Sequence, residues 1–428
     1  MVFLPGLVAA WFAAAAAPVT FSHDVAPILY RSCVSCHRAG GVAPFALFAY
    51  QDAAKRAQLI ATVTAKRYMP PWLPSEPRML HERKLTAAEI ATLAAWASTG
   101  APEGNPAALP APPVFPEGWQ LGKPDIEAAV RAPFAVPADG PDVYQCFAIP
   151  APADRAHYVR AIDIQPGNPL VVHHAILFQD ITGTARQRDT GGGYPCFGTP
   201  GFLPARGLGG WTPGSLPYQT PADIPETLHA HADLVLQVHY HPIGKPETDQ
   251  TRVALYFTDR KPARYATDIP LGSNRIDIPA GDSAYKVTDA FTIPVEVDAI
   301  GINPHAHYIC KEMYGYAVLP NGTRRTLIRI PNWDFNWQQQ YLYPAPIRLP
   351  ADTRVVMEYT YDNSEANLRN PNHPPQRVTW GPASTDEMAG LHVEVVVVHP
   401  EDAEELSRAL WGKMVRLTGG GGLTHDRQ

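Results

Sequence analysis

Short alternating runs of apolar and polar residues, each cut off by proline or glycine, cover the chain from Asp125 to about Val415 and restrict it to strands and turns. Ala156-His-Tyr-Val-Arg-Ala-Ile-Asp-Ile164, Leu234-Val-Leu-Gln-Val-His-Tyr240 and Val355-Val-Met-Glu-Tyr-Thr-Tyr361 are such runs. The 46 prolines and 32 glycines agree with this, since both residues interrupt long helices. About 300 residues of such pattern is more than one sandwich uses. A division near Arg264 is therefore expected, with one sandwich over 125–263 and another over 264–416.

The preceding region has a different period. Asp52 to Val63 and Leu85 to Trp96 repeat apolar residues at helical spacing, Thr86 followed by Glu89 reads as a capping box, and Gly100 reads as a helix stop. The proline-crowded stretch over 105–124 reads as a semi-rigid linker. The fold class expected is a small all-α domain over 21–104 followed by two all-β, jelly-roll-like sandwiches. Residues 1–17, apolar and ending in alanines, read as a secretory signal, which implies export to the periplasm or beyond. That stretch falls short of the roughly 20 residues a membrane span needs, and no later segment reaches it, so no span is expected in the mature chain. The glycine-rich end, 417–428, reads as a disordered tail. A net charge of -6 without a basic run excludes a nucleic-acid footprint.

Cys33-Val-Ser-Cys-His37 matches the C-x-x-C-H pattern of covalent haem attachment, in which two thiols bond the porphyrin and the adjacent imidazole ligates iron. On this motif, residues 21–104 resemble a small class I cytochrome c, and haem c is the implied cofactor. Met69, in Tyr68-Met-Pro-Pro-Trp72, is the expected sixth ligand, because the prolines keep its loop extended; Met79 and His81 are alternatives.

Most of the histidines after residue 150 fall in tight groups: His173 with His174, His229 with His231, His239 with His241, and His305 with His307. Residues two apart on a strand share a face, so His305 and His307 can close on one ion, whereas His173 and His174 need a local twist or bulge to converge. An imidazole-rich set with a thioether at hand favours copper over structural zinc.

The order of these motifs resembles the copper type II, ascorbate-dependent monooxygenases, the family of peptidylglycine- and dopamine-hydroxylating enzymes, over about residues 141–400. Val171-Val-His-His-Ala-Ile-Leu-Phe178 is similar to the family's paired-histidine strand and Leu234 to Tyr240 to the strand with a third ligand, which implies a first copper on His173, His174 and His239. Asn303-Pro-His-Ala-His307 and Ser384-Thr-Asp-Glu-Met388 are similar to the segments of the second site, which implies a second copper on His305, His307 and Met388. The resemblance also implies a Cys146–Cys196 disulfide, a relay role for the first copper, and attack on a substrate C–H bond with dioxygen at the second.

The chain departs from the family where substrate is held. An arginine two residues before the H-x-H pair and a tyrosine four beyond the methionine are here Asn303 and His392, so the carboxylate clamp of the peptide-hydroxylating members is missing. A following disulfide cysteine is here Ala389, and Cys310 remains as a thiol without a partner. The expected activity is hydroxylation of an unidentified small organic substrate, with electrons passed by the haem from an external donor such as a reduced cytochrome, a quinol-linked chain or an ascorbate-like reductant. A non-catalytic electron-transfer or copper-binding protein is the alternative. His229, His231, His241 and His392 stay undecided as ligands, and the aromatic run Trp333, Phe335, Trp337, Tyr341 reads as core.

Overall fold

Helical periodicity becomes helix where it was strongest. In the computed structural model, which describes residues 18–150, 153–202 and 206–417, Ala57–Ala65 and Ala87–Ser98 are helices. The expected signal at 1–17 and the tail from 418 onward lie outside the described residues. Thr86 caps the second helix: its hydroxyl accepts from Glu89 N–H at 3.2 Å, while Glu89 accepts from Thr86 N–H at 2.7 Å. Gly100 ends it in the left-handed region, φ +86°, which a side chain would strain.

Contacts divide the chain into two units: residues up to Pro71 together with Arg83–Val114, and Trp72–Glu82 together with Phe115 onward. The first unit packs Phe21, Leu29, Ile60, Leu93 and Trp96 into a small core.

The expected fold class is corrected. Among the described residues 34% are strand and only 17% helix, and the N-terminal helices are too few and short for an all-α cytochrome domain. They run to 7, 5, 9 and 12 residues. Gly40, Gly41 and Pro44 in one gap, and Pro70, Pro71, Pro74 and Pro77 in the other, deny the intervening chain either helical preference or N–H donors. In place of two jelly rolls, the strands make four principal antiparallel sheets in a four-blade, propeller-like arrangement.

Residues 72–82, read from sequence as part of the first domain, pack into the strand-rich unit. Ser75 and Leu80 donate N–H to the carbonyls of Arg329 and Leu342 at 2.7 and 2.8 Å, and Met79 is buried in that unit's largest core with Ile302, Met313 and Leu391. The helix Ala403–Leu417 closes against the same core through Leu406 and Leu410.

Two sheets position the histidines. One runs Tyr194–Pro195, Val143–Ile149, Asp233–Tyr240, Val172–Asp180, Arg206–Trp211, with the Asp233–Tyr240 strand buried throughout at its centre. Another runs Ala266–Gly272, Gly390–Val397, Val297–His305, Tyr341–Leu349. Cys146 and Cys196 are joined in a disulfide, S–S 2.08 Å, that ties the edge of the first of these sheets.

Candidate metal centre

His174 pairs directly across from His239, and the register slips just beyond, where Tyr240 meets Val172 and leaves His173 as the extra residue. That bulge is what two adjacent strand residues need in order to face the same way. The Nδ1 atoms of His173 and His239 stand 3.3 and 3.4 Å from His174 Nδ1, and the three residues' ligand atoms all lie within 4.8 Å of one another. Imidazole nitrogens held ~2.0 Å from one ion at tetrahedral or trigonal angles would be ~3.3–3.5 Å apart. The set therefore fits one metal ion. Buried His173 Nε2 has no partner of its own.

Burial also sets the charge of these rings. It drives His173 down to about 3, helped by the neighbouring His239, and lowers His174 and His239 as well. Neutral imidazole is the form a metal binds, so no proton need leave at neutral pH. Asp142 orients the set: its carboxylate, 6% exposed, has Oδ1 2.7 Å from His241 Nδ1 and Oδ2 3.1 Å from His239 Nε2, the latter off the hydrogen-bond line. Burial works against its charge, but the facing His239 ring together with His241 and Ser384 outweighs this and holds the carboxyl far below its usual range. A carboxylate behind an imidazole is the common support of a metal ligand. His241 thus joins the site through Asp142, outside the three-nitrogen cluster. Tyr144 stacks on His239, centroids 4.1 Å apart, and donates to Pro382 O at 3.3 Å.

The second group is built at a strand end. His305 pairs with Gly390 as its strand finishes, and Met388 lies two residues before Gly390 in the chain. Buried Glu387 holds the turn: its carboxylate accepts from His307, Met388 and Ile309 N–H at 2.9, 3.0 and 3.0 Å. Burial pushes this carboxyl up to about 8 against the pull of those donors. His305 Nδ1–H donates to Gln338 Oε1 at 2.5 Å and His307 Nδ1–H to Asp386 O at 3.1 Å, which leaves both Nε2 atoms as lone-pair ligands. The two rings are perpendicular, centroids 5.3 Å apart, and burial lowers them to about 4 and about 3.

In the first unit, the helix Ala26–Ser32 runs into a turn in which Cys36 and His37 N–H both bond to Cys33 O, at 3.2 and 2.9 Å. Cys33 and Cys36 are unbonded thiols, the former pushed up to about 12 by burial and by Cys36. His37 Nδ1–H donates to Phe45 O at 3.0 Å, leaving Nε2 as a ligand atom. Gly41 lets the chain pass close over this turn, since a Cβ there would meet Cys36 O at 2.2 Å. Both thiols of the motif and its imidazole thus stand on one short turn. Met69 is half-buried in this unit, exposed His81 and core-buried Met79 in the other.

His229, His231 and His392 are exposed; His231, with His157, Asp125 and Asp154, lines a surface cavity of about 500 Å³. His392 faces Asn303 across the ladder. Asp142, Phe335, Gln338 and Glu387 were not read from the sequence as site residues. Only Glu387 carried a signal there, as a carboxylate next to Met388.

No family model and no curated protein matches the chain. Solved structures with partial similarity include PBCV-1 VP54 fitted into a cryo-EM reconstruction of the virophage Sputnik, at 7% identity and TM-score 0.25 over 67% of this chain and 97% of that one. A Paenibacillus xanthan lyase gives 12% and 0.18 over 71% of this chain and 29% of that one. Infectious bursal disease virus VP2 gives 9% and 0.18 over 71% and 90%. At these scores the likeness carries no argument. Among the described residues, no helix is long and apolar enough to cross a membrane.

Proposed function

We propose that the chain is a haem- and copper-dependent oxidoreductase, a monooxygenase that hydroxylates a small organic substrate with dioxygen. The convergence of the His173, His174 and His239 nitrogens on neutral rings carries this reading. His305, His307 and Met388 would hold a second copper, and Cys33, Cys36 and His37, with Met69 as sixth ligand, a haem c. The reaction consumes R–H, dioxygen, two electrons and two protons and yields R–OH and water. When bound, a copper with a soft thioether ligand would supply redox chemistry from its reduced state, and a haem would supply electrons singly. The protein's own part is orientation: Asp142 sets the His239 ring, Gln338 and the Asp386 carbonyl set His305 and His307, and desolvation keeps all five imidazoles neutral. The Cys146–Cys196 bridge accords with an oxidising compartment, periplasmic or extracellular.

A non-catalytic electron-transfer protein is the second reading, favoured by Phe335, whose ring fills space between His173 and His307. Oxygen uptake and product analysis across candidate substrates, with an ascorbate-like reductant, separate the two. The monooxygenase reading expects uptake matched by hydroxylated product and abolished in His307→Ala and Met388→Ala. Uptake without product from any substrate would refute it.

A further inference from the structure

One turn of chain touches both imidazole groups. Phe335, 4% exposed, stacks on His173 with centroids 4.6 Å apart and planes 19° from parallel, and meets His307 nearly edge-on at 5.5 Å and 80°. The flanking residues bind the same groups: Trp333 Nε1–H donates to His307 O at 3.0 Å, and Gln338 accepts from His305 while donating to Phe335 O at 3.0 Å. Asp334 caps this turn by accepting from Asn336 N–H at 3.0 Å. The segment 333–338 therefore packs on His173 of one group and on both histidines of the other.

We infer that Phe335 is a positioning residue shared by the two sites, which makes them fill with copper as a coupled pair. The inference rests on the copper reading above. An ion bound by His173 fixes that ring's plane; the near-parallel stack then fixes Phe335, and its edge restricts His307. The second group consequently loses less side-chain freedom when it binds, and by linkage the effect is the same in either order. A flexible or solvent-filled gap between the rings would transmit nothing. Coupling of this kind amounts to roughly fivefold or more in affinity.

The test is a stepwise titration of the copper-stripped, haem-containing full chain with copper ions against a competing chelator, on the unaltered protein, Phe335→Ala and Phe335→Leu. Leucine keeps most of the volume without ring faces, so it decides the matter if the alanine variant does not fold. The unaltered protein is expected to take its second ion at least about fivefold more tightly than independent sites would, and both variants to bind two ions independently. Spectra of the doubly loaded Cu(II) protein should show spin–spin broadening with one geometry, spread in the variants. Two ions bound independently by the unaltered protein, or coupling undiminished in Phe335→Leu, would overturn the inference while leaving the copper reading standing. Failure to bind copper at all would remove both.

Discussion

Glu387 is the least replaceable polar residue near the second site, and Glu387→Ala tests why. Its carboxylate is fully buried and serves three backbone N–H groups, those of His307, Ile309 and Met388. Alanine would orphan all three, and each buried donor left unsatisfied costs about 1–3 kcal/mol. Water entering the vacated space and the removal of a buried carboxyl offset part of this, so the loss should fall near the lower end, about 3–5 kcal/mol. For a large unit, at roughly 2–4 °C per kcal/mol, that lowers the melting temperature by roughly 10 °C. Because two of the three donors belong to His307 and Met388, the variant should also lose copper at the second site while His173, His174 and His239 keep theirs. Glu387→Gln, which retains one acceptor oxygen, should fall between. Scanning calorimetry with copper analysis gives both readouts. If Glu387→Ala unfolds within about 1 kcal/mol of the unaltered protein and still holds two coppers, the clamp argument is wrong.

Three further outcomes are expected. Asp142→Ala should weaken copper at the first site by about 10–100-fold in chelator competition, with little change at the second, because it removes the support behind His239. Replacing Cys146 and Cys196 by alanine opens a loop with a sequence separation of 50 and should cost about 4 kcal/mol in urea unfolding; a loss below about 1 would show the bridge to be incidental. In the metal-free protein His173, His305 and His307 are held at about 3, 4 and 3, below their unfolded value of 6.5, so the unfolded chain takes up protons first. Stability is then complete above pH 6.5 and falls as pH drops toward 3–4, each residue contributing on the order of 2 kcal/mol by pH 5. Flat stability from pH 7 to 5 would contradict this.

Local signals carried furthest. Alternation at Leu234–Tyr240 became a strand because period two is a property of neighbours, and the Thr86–Glu89 capping box formed for the same reason. The adjacency of His173 and His174 implied a local twist or bulge, and a bulge is what the strand pair forms. What depends on distant contact was not legible. Trp72–Glu82 carries no mark showing that Met79 fills the strand-rich unit's core, and four separate sheets cannot be told from two sandwiches by strand pattern. Short helices between proline-rich gaps still read as an all-α domain, because the periodic parts outweigh the silent ones. Asp142 lies 97 residues before His239, so no spacing connects them, and Phe335 looked like any core aromatic until its neighbours were known.

Metal and haem quantitation on the purified full chain, repeated on His173→Ala and His307→Ala, bears most directly on the proposed role. One haem and two coppers per chain are expected, with each substitution removing copper from its own site and leaving the haem in place. Iron without copper, or copper content unchanged by either substitution, would contradict it.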